Sequence, residues 1–429
     1  MSLTHLLYSA ALAVLRRGTP LFRSGSSKFA VGMRGREAAH ERLIAWGRST
    51  RDLGRPTVWV HAPSVGEGLQ ARAVMAALKA ARPTAQFVFT YFSPSALSIE
   101  KEMSADVTAY LPWDLESVIA PVLDALQPDL VVFTKTEVWP VLVEQARRRG
   151  AKVCLVAGTL PENAGRLRLP ARIFLRKTWA RLDWVFAVGE KDAARFRSLG
   201  AKVVRTTGDP GVDSAAFRAR KCDSSASYLA RFREEPRPTL VAGSTWPSDE
   251  SVLIPALKRV LDEAPELRVI VAPHEPEPGI VVDLVEMLQL ELGEARTLME
   301  VERDGAKGVD AVVVDRVGVL AHLYTIGDMA YVGGGYHEDG LHSVLEPAAA
   351  GIPVIFGPAH TNTHAAQDLI EAQAAKVAND AEELAQTVLE WLRDKAARDY
   401  AGKRAFGYID AHRGAAERTA DLLADLMTS

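Results

Sequence analysis

Residues 57–81 read TVWVHAPSVGEGLQARAVMAALKAA, and this stretch decides the fold class. Thr57–His61 is a β-branched and aromatic run of strand length, and residues 68–81 are rich in alanine and leucine at helical spacing. Between them Pro63, Gly66 and Gly68 make a turn, so the unit is strand, tight loop, helix. Such a unit repeats along the chain. Further strands are predicted at 86–91, 129–134, 152–156, 184–188 and 202–206, then at 238–242, 267–272, 310–314, 328–332 and 352–356. Helical segments such as 137–149 fall between them. Alternation of this kind predicts an α/β protein with parallel sheets covered by helices on both faces.

At 429 residues the chain exceeds what one hydrophobic core supports, and the two strand series divide it into two Rossmann-like domains. Residues 216–237 are polar, lack a strand and end in prolines, so they are read as the linker between domains 25–215 and 238–429. Residues 380–427 look helical, with the last helix able to cross back onto the first domain. Ligands of open α/β sheets bind at the carboxyl ends of the strands, so the two domains are expected to face a central cleft. Hydrophobic residues at 48% and charged residues at 24% exclude bulk disorder. Cys154 and Cys222 are too few, and too unlike in setting, for a disulfide framework or thiolate metal site, and a reducing compartment fits.

The net charge of −3 conceals an asymmetry. Residues 1–55 hold ten Lys/Arg against three Asp/Glu, so the remainder is strongly acidic. Within this segment Leu6–Leu15 is apolar and is followed by Arg16 and Arg17, with Leu21 and Phe22 beyond. The run is too short to span a bilayer, and its charge lies on the wrong side for a signal peptide. One reading places residues 1–24 as a membrane-associating helix, with Arg16, Arg17, Arg23, Lys28, Arg34 and Arg36 meeting an anionic surface. The other is a first helix packed on its own domain. Basic residues beside an apolar helix, without interleaved aromatics, argue against nucleic acid as partner.

Glu67 stands at or near a helix N-terminus, where the dipole favours the ionised carboxylate and so a proton acceptor; an N-terminal capping role is the alternative. Ser64 and Gly66 share its loop. Glu137 and Trp139 follow the strand at 129–134, where Glu137 can orient a sugar hydroxyl and Trp139 either packs or stacks on a sugar ring. In the second half, Gly334 and Gly335 end a strand and His342, Ser343 and Glu346 lead into a helix, a pattern suited to a phosphate on main-chain amides with the acid on ribose hydroxyls. Ser244, Thr245 and His274 complete this donor-side set, each with a turn or capping role as the rival reading. His337, His342, His360 and His364 crowd together, but no metal-ligand spacing supports a metal, and none is expected. P-loop and nucleophile-elbow patterns are absent.

Taken together, the stretches His61–Glu67, Tyr110–Asp114, Thr136–Pro140, Gly208–Asp213, Gly243–Thr245 and Gly340–Pro358 resemble the 3-deoxy-D-manno-oct-2-ulosonic acid (Kdo) transferases of lipopolysaccharide biosynthesis, in that family's order. The resemblance implies a GT-B fold and inverting transfer of Kdo from CMP-Kdo to a lipid A precursor without a metal or other cofactor. It also implies a peripheral or monotopic enzyme on the cytoplasmic face of the inner membrane. The family's catalytic glutamate falls on Glu67, its second conserved glutamate on Glu137, and its nucleotide-side glutamate on Glu346. Four positions depart from it: Gly211 and Pro273 replace cations, Ser343 an asparagine, and Lys135 a glutamate. The rival functions are a nucleotide-sugar 2-epimerase, another lipid glycosyltransferase of this fold, or a non-catalytic nucleotide-sugar-binding protein.

Overall fold

The computed structural model describes residues 3–19, 25, 27–162, 164–223, 225–338 and 340–427, so Leu21, Phe22 and Arg23 lie outside the described residues. The chain forms two compact units, one of residues 1–214 with 414–429 and the other of 215–413.

The first unit is built on a seven-stranded parallel sheet in the order β3-β2-β1-β4-β5-β6-β7, the arrangement of a doubly wound dinucleotide-type fold. Its strands are β1 (Thr57–Ala62), β2 (Gln86–Tyr91), β3 (Val107–Tyr110), β4 (Leu130–Thr134), β5 (Lys152–Gly158), β6 (Trp184–Ala187) and β7 (Val204–Thr206). The central strands are buried along their whole length, which is why their apolar residues do not alternate with exposed polar ones. The second unit repeats the design in the order β10-β11-β9-β8-β12-β13-β14. Its strands are β8 (Thr239–Thr245), β9 (Arg268–Pro273), β10 (Ala295–Thr297), β11 (Ala311–Val313), β12 (Met329–Val332), β13 (Val354–Phe356) and β14 (Ala375–Val377).

Three strands escape the sequence reading: β3, β10 and β14. Each has three or four residues and forms a sheet edge, so each carries too little pattern to register. The expected linker also needs correction. Residues 210–220 and 227–234 are helical, and Leu229 and Phe232 are buried in the core of the second unit with Val241 and Ile270. The polar composition of 216–237 is that of a helical surface, and the division falls at 214/215. At the other end the helix Ala415–Leu426 belongs with the first unit. The Asp213 carboxylate accepts the amides of Gly414 (2.6 Å) and Ala416 (2.8 Å), capping that helix, and Arg82 donates to the Ala424 carbonyl at 2.9 Å.

Six helices of the first unit matter here: α1 (Leu3–Gly18), α2 (Lys28–Ser49), α3 (Val65–Ala81), α4 (Glu116–Leu126), α5 (Pro140–Arg148) and α6 (Ala171–Trp179). Part of α1 packs on its own domain. Leu12 and Ala13 pack on Met33, Trp113, Leu115 and Val118, while Leu7 and Val14 stand outward, 63% and 69% exposed. The basic residues are not all at the surface. Arg16 pairs with Glu37 at 3.2 Å, and Arg36, expected to meet headgroups, is buried because α2 lays it across the ring of Phe92.

The fully buried Asp114 fixes the loop between β3 and α4. Its oxygens accept the amides of Val141 (3.0 Å) and Leu142 (2.8 Å) in the first turn of α5, and the Tyr8 hydroxyl of α1 (2.9 Å). Burial outweighs these bonds and raises its pKa to about 6. The folded state therefore holds this proton more tightly than the unfolded chain does. That contribution is present at low pH and is lost as pH rises through about 6. Asp114→Ala leaves two buried amides without acceptors and is expected to lower unfolding free energy by about 2–4 kcal/mol, read from urea midpoints at pH 7. In Asp114→Asn the loss of stability between pH 4 and pH 7 should be shallower than in the wild type; equal slopes would remove Asp114 as its source.

Candidate functional site

In the first unit the sequence candidates gather at the carboxyl ends of β1 and β4. Ser64 is the N-cap of α3 and Glu67 is its third residue, the spacing of a capping box. The box is not formed. The Ser64 hydroxyl instead donates to Glu67 Oε2, and Lys135 Nζ contacts Glu67 Oε1 at 2.9 Å. Burial pushes the Glu67 carboxyl up, yet the Lys135 ammonium and the Ser64 hydroxyl outweigh it and hold the group below the usual glutamate range. It is ionised at neutral pH. Gly66 lies one residue away, exposed, with open space where a side chain would project. Lys135, noted in the sequence only as a departure from a glutamate, thus becomes the cation of the site. It has φ +66°, a backbone state seldom adopted outside glycine and found most often where function holds it.

Glu137 lies in the loop from β4 to α5. Its Oε1 accepts Trp139 Nε1 at 3.0 Å, with His61 Nε2 further off at 3.5 Å. His61 is buried and anchored through Nδ1 to Thr90, 3.0 Å from its carbonyl oxygen. Trp139 stacks on Phe92 with ring centroids 5.6 Å apart, so the structure supports its packing role and makes it the residue that orients Glu137.

In the second unit the loops after β8, β9 and β12 come together. Ser244 takes a left-handed backbone state, φ +56°, and among the described residues no side-chain hydrogen bond involves its hydroxyl. The Thr245 hydroxyl is committed to Glu250 at 2.9 Å, so Thr245 braces the loop rather than offering a free donor. The glycines also differ from expectation. The Gly334 amide donates to Asp249 Oδ2 at 2.8 Å, and a Cβ on Gly335 would strike the backbone of Gly357. These glycines let protein loops approach one another, and at Gly334 the amide is already used. Asp249, which the sequence reading missed, is the hub: it also accepts the Trp246 amide (2.9 Å) and the Tyr331 hydroxyl (2.8 Å).

Around that hub four rings stack. Trp246 lies 4.2 Å from His337 and 4.5 Å from His274, His274 lies 4.5 Å from His342, and Trp246 Nε1 donates to His342 Nε2 at 2.9 Å. Crowding of histidines between 337 and 342 thus serves stacking. Among the described residues no three His, Cys, Asp or Glu side chains gather in a way that holds a metal ion. Ser343 is exposed, and the helix it leads into is short, Leu345–Ala350. Glu346, in its first turn, is paired with Arg218, a partner with no signal in the sequence because 128 positions separate them.

A family model described as 3-deoxy-D-manno-octulosonic-acid transferase matches residues 37–213. Among curated proteins the chain is 27% identical to a 3-deoxy-D-manno-octulosonic acid transferase of Haemophilus influenzae, over 85% of this chain and 86% of that protein. It is 29% identical to one of Bordetella pertussis, over 89% and 90%. Among solved structures it is similar to a UDP-GlcNAc 2-epimerase from Neisseria meningitidis bound to UDP-GlcNAc, with TM-score 0.60, 13% identity, and 87% and 99% of the two chains covered. A putative UDP-N-acetylglucosamine 2-epimerase from Listeria monocytogenes gives 0.60 at 14% identity, covering 85% and 94%. At such identities the likeness is one of fold, the GT-B type with two Rossmann-like domains. The sequence similarity to these Kdo transferases runs through both units, and the family model matches residues 37–213 of the first.

Proposed function

We propose that this chain is an inverting glycosyltransferase that moves Kdo from CMP-Kdo to a lipid A precursor in lipopolysaccharide biosynthesis. The observation that carries the chemistry is Glu67, ionised, partly enclosed and held at the first turn of α3 by Ser64 and Lys135. A sugar hydroxyl is a poor nucleophile near neutral pH. Glu67 takes its proton as the oxygen attacks the anomeric carbon, while the bond from that carbon to the CMP phosphate oxygen breaks and the electron pair leaves with CMP. General base help of this kind typically contributes about 10²–10⁴-fold. Lys135 keeps Glu67 ionised but also lowers its basicity. The lysine side chain is 45% exposed against 14% for Glu67, so acceptor binding can displace it and restore a stronger base.

Glu137 acts as the orienting partner. Trp139 occupies its Oε1, which leaves Oε2 to accept an acceptor hydroxyl. On the donor side we assign Ser244, His274, His342, Ser343 and Glu346, with Gly334, Gly335 and Thr245 shaping the loops. Glu346 exchanges Arg218 for the ribose hydroxyls, and the exposed Ser343 and left-handed Ser244 meet the departing phosphate. The reaction as proposed uses no metal.

The proposed site of action is the anionic cytoplasmic surface of the inner membrane. Among the described residues no helix is long and apolar enough to cross a membrane. What supports surface binding is the outward row Leu7, Val14 and Leu15 on α1, together with exposed Leu169 and Ile173 in a neighbouring segment. Tyr8 meets Phe174 at 5.6 Å, which joins α1 to α6. Residues 163–182 carry Arg166, Arg168, Arg172, Arg176, Lys177 and Arg181 with no acidic residue, so the apolar row has a basic rim.

Glu67→Gln should reduce transfer from CMP-Kdo to tetraacylated lipid A precursor by at least 10²-fold, followed by mass spectrometry of the lipid, with CMP affinity retained. Undiminished transfer removes Glu67 from the chemistry. In Lys135→Met the ammonium no longer holds the carboxyl down, so the acid limb of the pH–rate profile should move to higher pH; an unmoved limb means that Glu67 does not set it. Replacing Leu7 and Val14 by Asp should abolish sedimentation with vesicles containing phosphatidylglycerol while the unfolding midpoint stays near that of the wild type, and persistent sedimentation would place the membrane contact elsewhere.

A further inference from the structure

Arg36 is buried, 9% exposed, in the body of α2. Three arginines of the described structure have an enclosed side-chain nitrogen without an acceptor: Arg36, Arg51 and Arg268. Arg51 and Arg268 use their other nitrogens, on Thr57 and the Gln127 carbonyl and on Glu235 respectively. The Arg36 guanidinium donates to no acceptor among the described residues, and no carboxylate there lies within ion-pair distance of it. It lies instead over aromatic rings, its central carbon 3.4 Å from the centroid of Phe92 and 5.7 Å from that of Trp113. Phe92 in turn stacks on Trp139, whose ring nitrogen fixes Glu137.

A second enclosed donor lies within electrostatic reach of this guanidinium. The Tyr110 hydroxyl, at the end of β3, also has no acceptor. Helix α2 comes this close to Tyr110 because residue 35 is glycine: a Cβ there would strike the tyrosine ring. Enclosing a guanidinium whose Nε–H meets no acceptor is unfavourable, and ring stacking and the field of Glu137 offset only part of that. An arrangement that is unfavourable in the free protein, built from close-packed aromatics and placed beside a candidate site, is what a binding site for an absent anion requires.

We propose that Arg36, assisted by Tyr110, receives a phosphate group. The planar fork of a guanidinium matches two phosphate oxygens, and a phenol hydroxyl supplies a third donor. This rests on the reading of the acceptor as a lipid A precursor, whose glucosamine backbone carries phosphates, and it makes Arg36 the residue that sets acceptor register relative to Glu137. The phosphates of bulk phospholipid have the same chemistry and are the other source.

The test uses the full chain in detergent micelles without donor, measuring calorimetric affinity for tetraacylated lipid A precursor and for the same lipid stripped of phosphate. Arg36→Gln, which keeps a planar group on Phe92, should weaken binding of the phosphorylated lipid at least tenfold. It should leave the dephosphorylated lipid, already weak with the wild type, unchanged. Should this variant fail to fold, Tyr110→Phe makes the same comparison. A loss confined to phosphatidylglycerol vesicles, with lipid A precursor affinity intact, keeps the phosphate site but assigns it to the bilayer. Equal weakening of both acceptor forms, or of neither and of no vesicle, overturns the proposal. Transfer assayed in parallel separates the two readings: a wild type that binds the phosphorylated lipid through Arg36 yet transfers no Kdo refutes the transferase reading alone, and one that binds neither form refutes both.

Discussion

Both units depend on carboxylates that accept main-chain amides. Asp114 holds the first turn of α5 and the Tyr8 hydroxyl, and Asp249 holds the amides of Trp246 and Gly334 and the Tyr331 hydroxyl. Asp192, fully buried, accepts the Leu160 amide at 2.7 Å, and Asp213 caps the helix that starts near Gly414. A buried carboxylate without donors is costly, so each of these residues locks a loop into the one geometry that satisfies it. Parallel sheets leave their functional loops at the carboxyl ends of strands. The aspartates turn the loops they hold from flexible connections into fixed ones, and Glu137 just precedes the helix turn that Asp114 holds.

Legibility in the sequence followed the length and burial of each element. The central strands β1, β2, β4, β8 and β9 are five to seven residues long and were readable as strands; β3, β10 and β14, three or four residues at sheet edges, were not. The region 216–237 was misread because its polar residues coat helices whose buried positions, Leu229 and Phe232, are too sparse to reveal a periodicity. Glu67, Ser64 and Glu137 were legible because they follow strands within a few residues and fall in motifs with a family resemblance.

Residues joined only by folding were not legible. Lys135 reaches Glu67 across 68 positions, Arg218 reaches Glu346 across 128, and Asp249 reaches Gly334 across 85. No local pattern encodes such a pairing. The glycines at 334 and 335 show the converse error: a glycine-rich turn signals that something approaches the backbone closely, but not whether that something is a phosphate or another loop of the same protein. Arg36 was assigned to a basic surface because charge counted along a sequence does not tell which side of a helix is covered.

The helix Ala415–Leu426 completes the first unit although the whole of residues 215–413 intervenes. Ala420, Leu423 and Ala424 enter the same core as Val74 and Leu78 of α3. On the ribosome, therefore, the earlier-made unit keeps an apolar groove along α3 uncovered until residues 414–429 are made, while the later-made one is complete first. Synthesis order and completion order are inverted, and the nascent chain spends that interval with an apolar surface open to chaperones or to a bilayer.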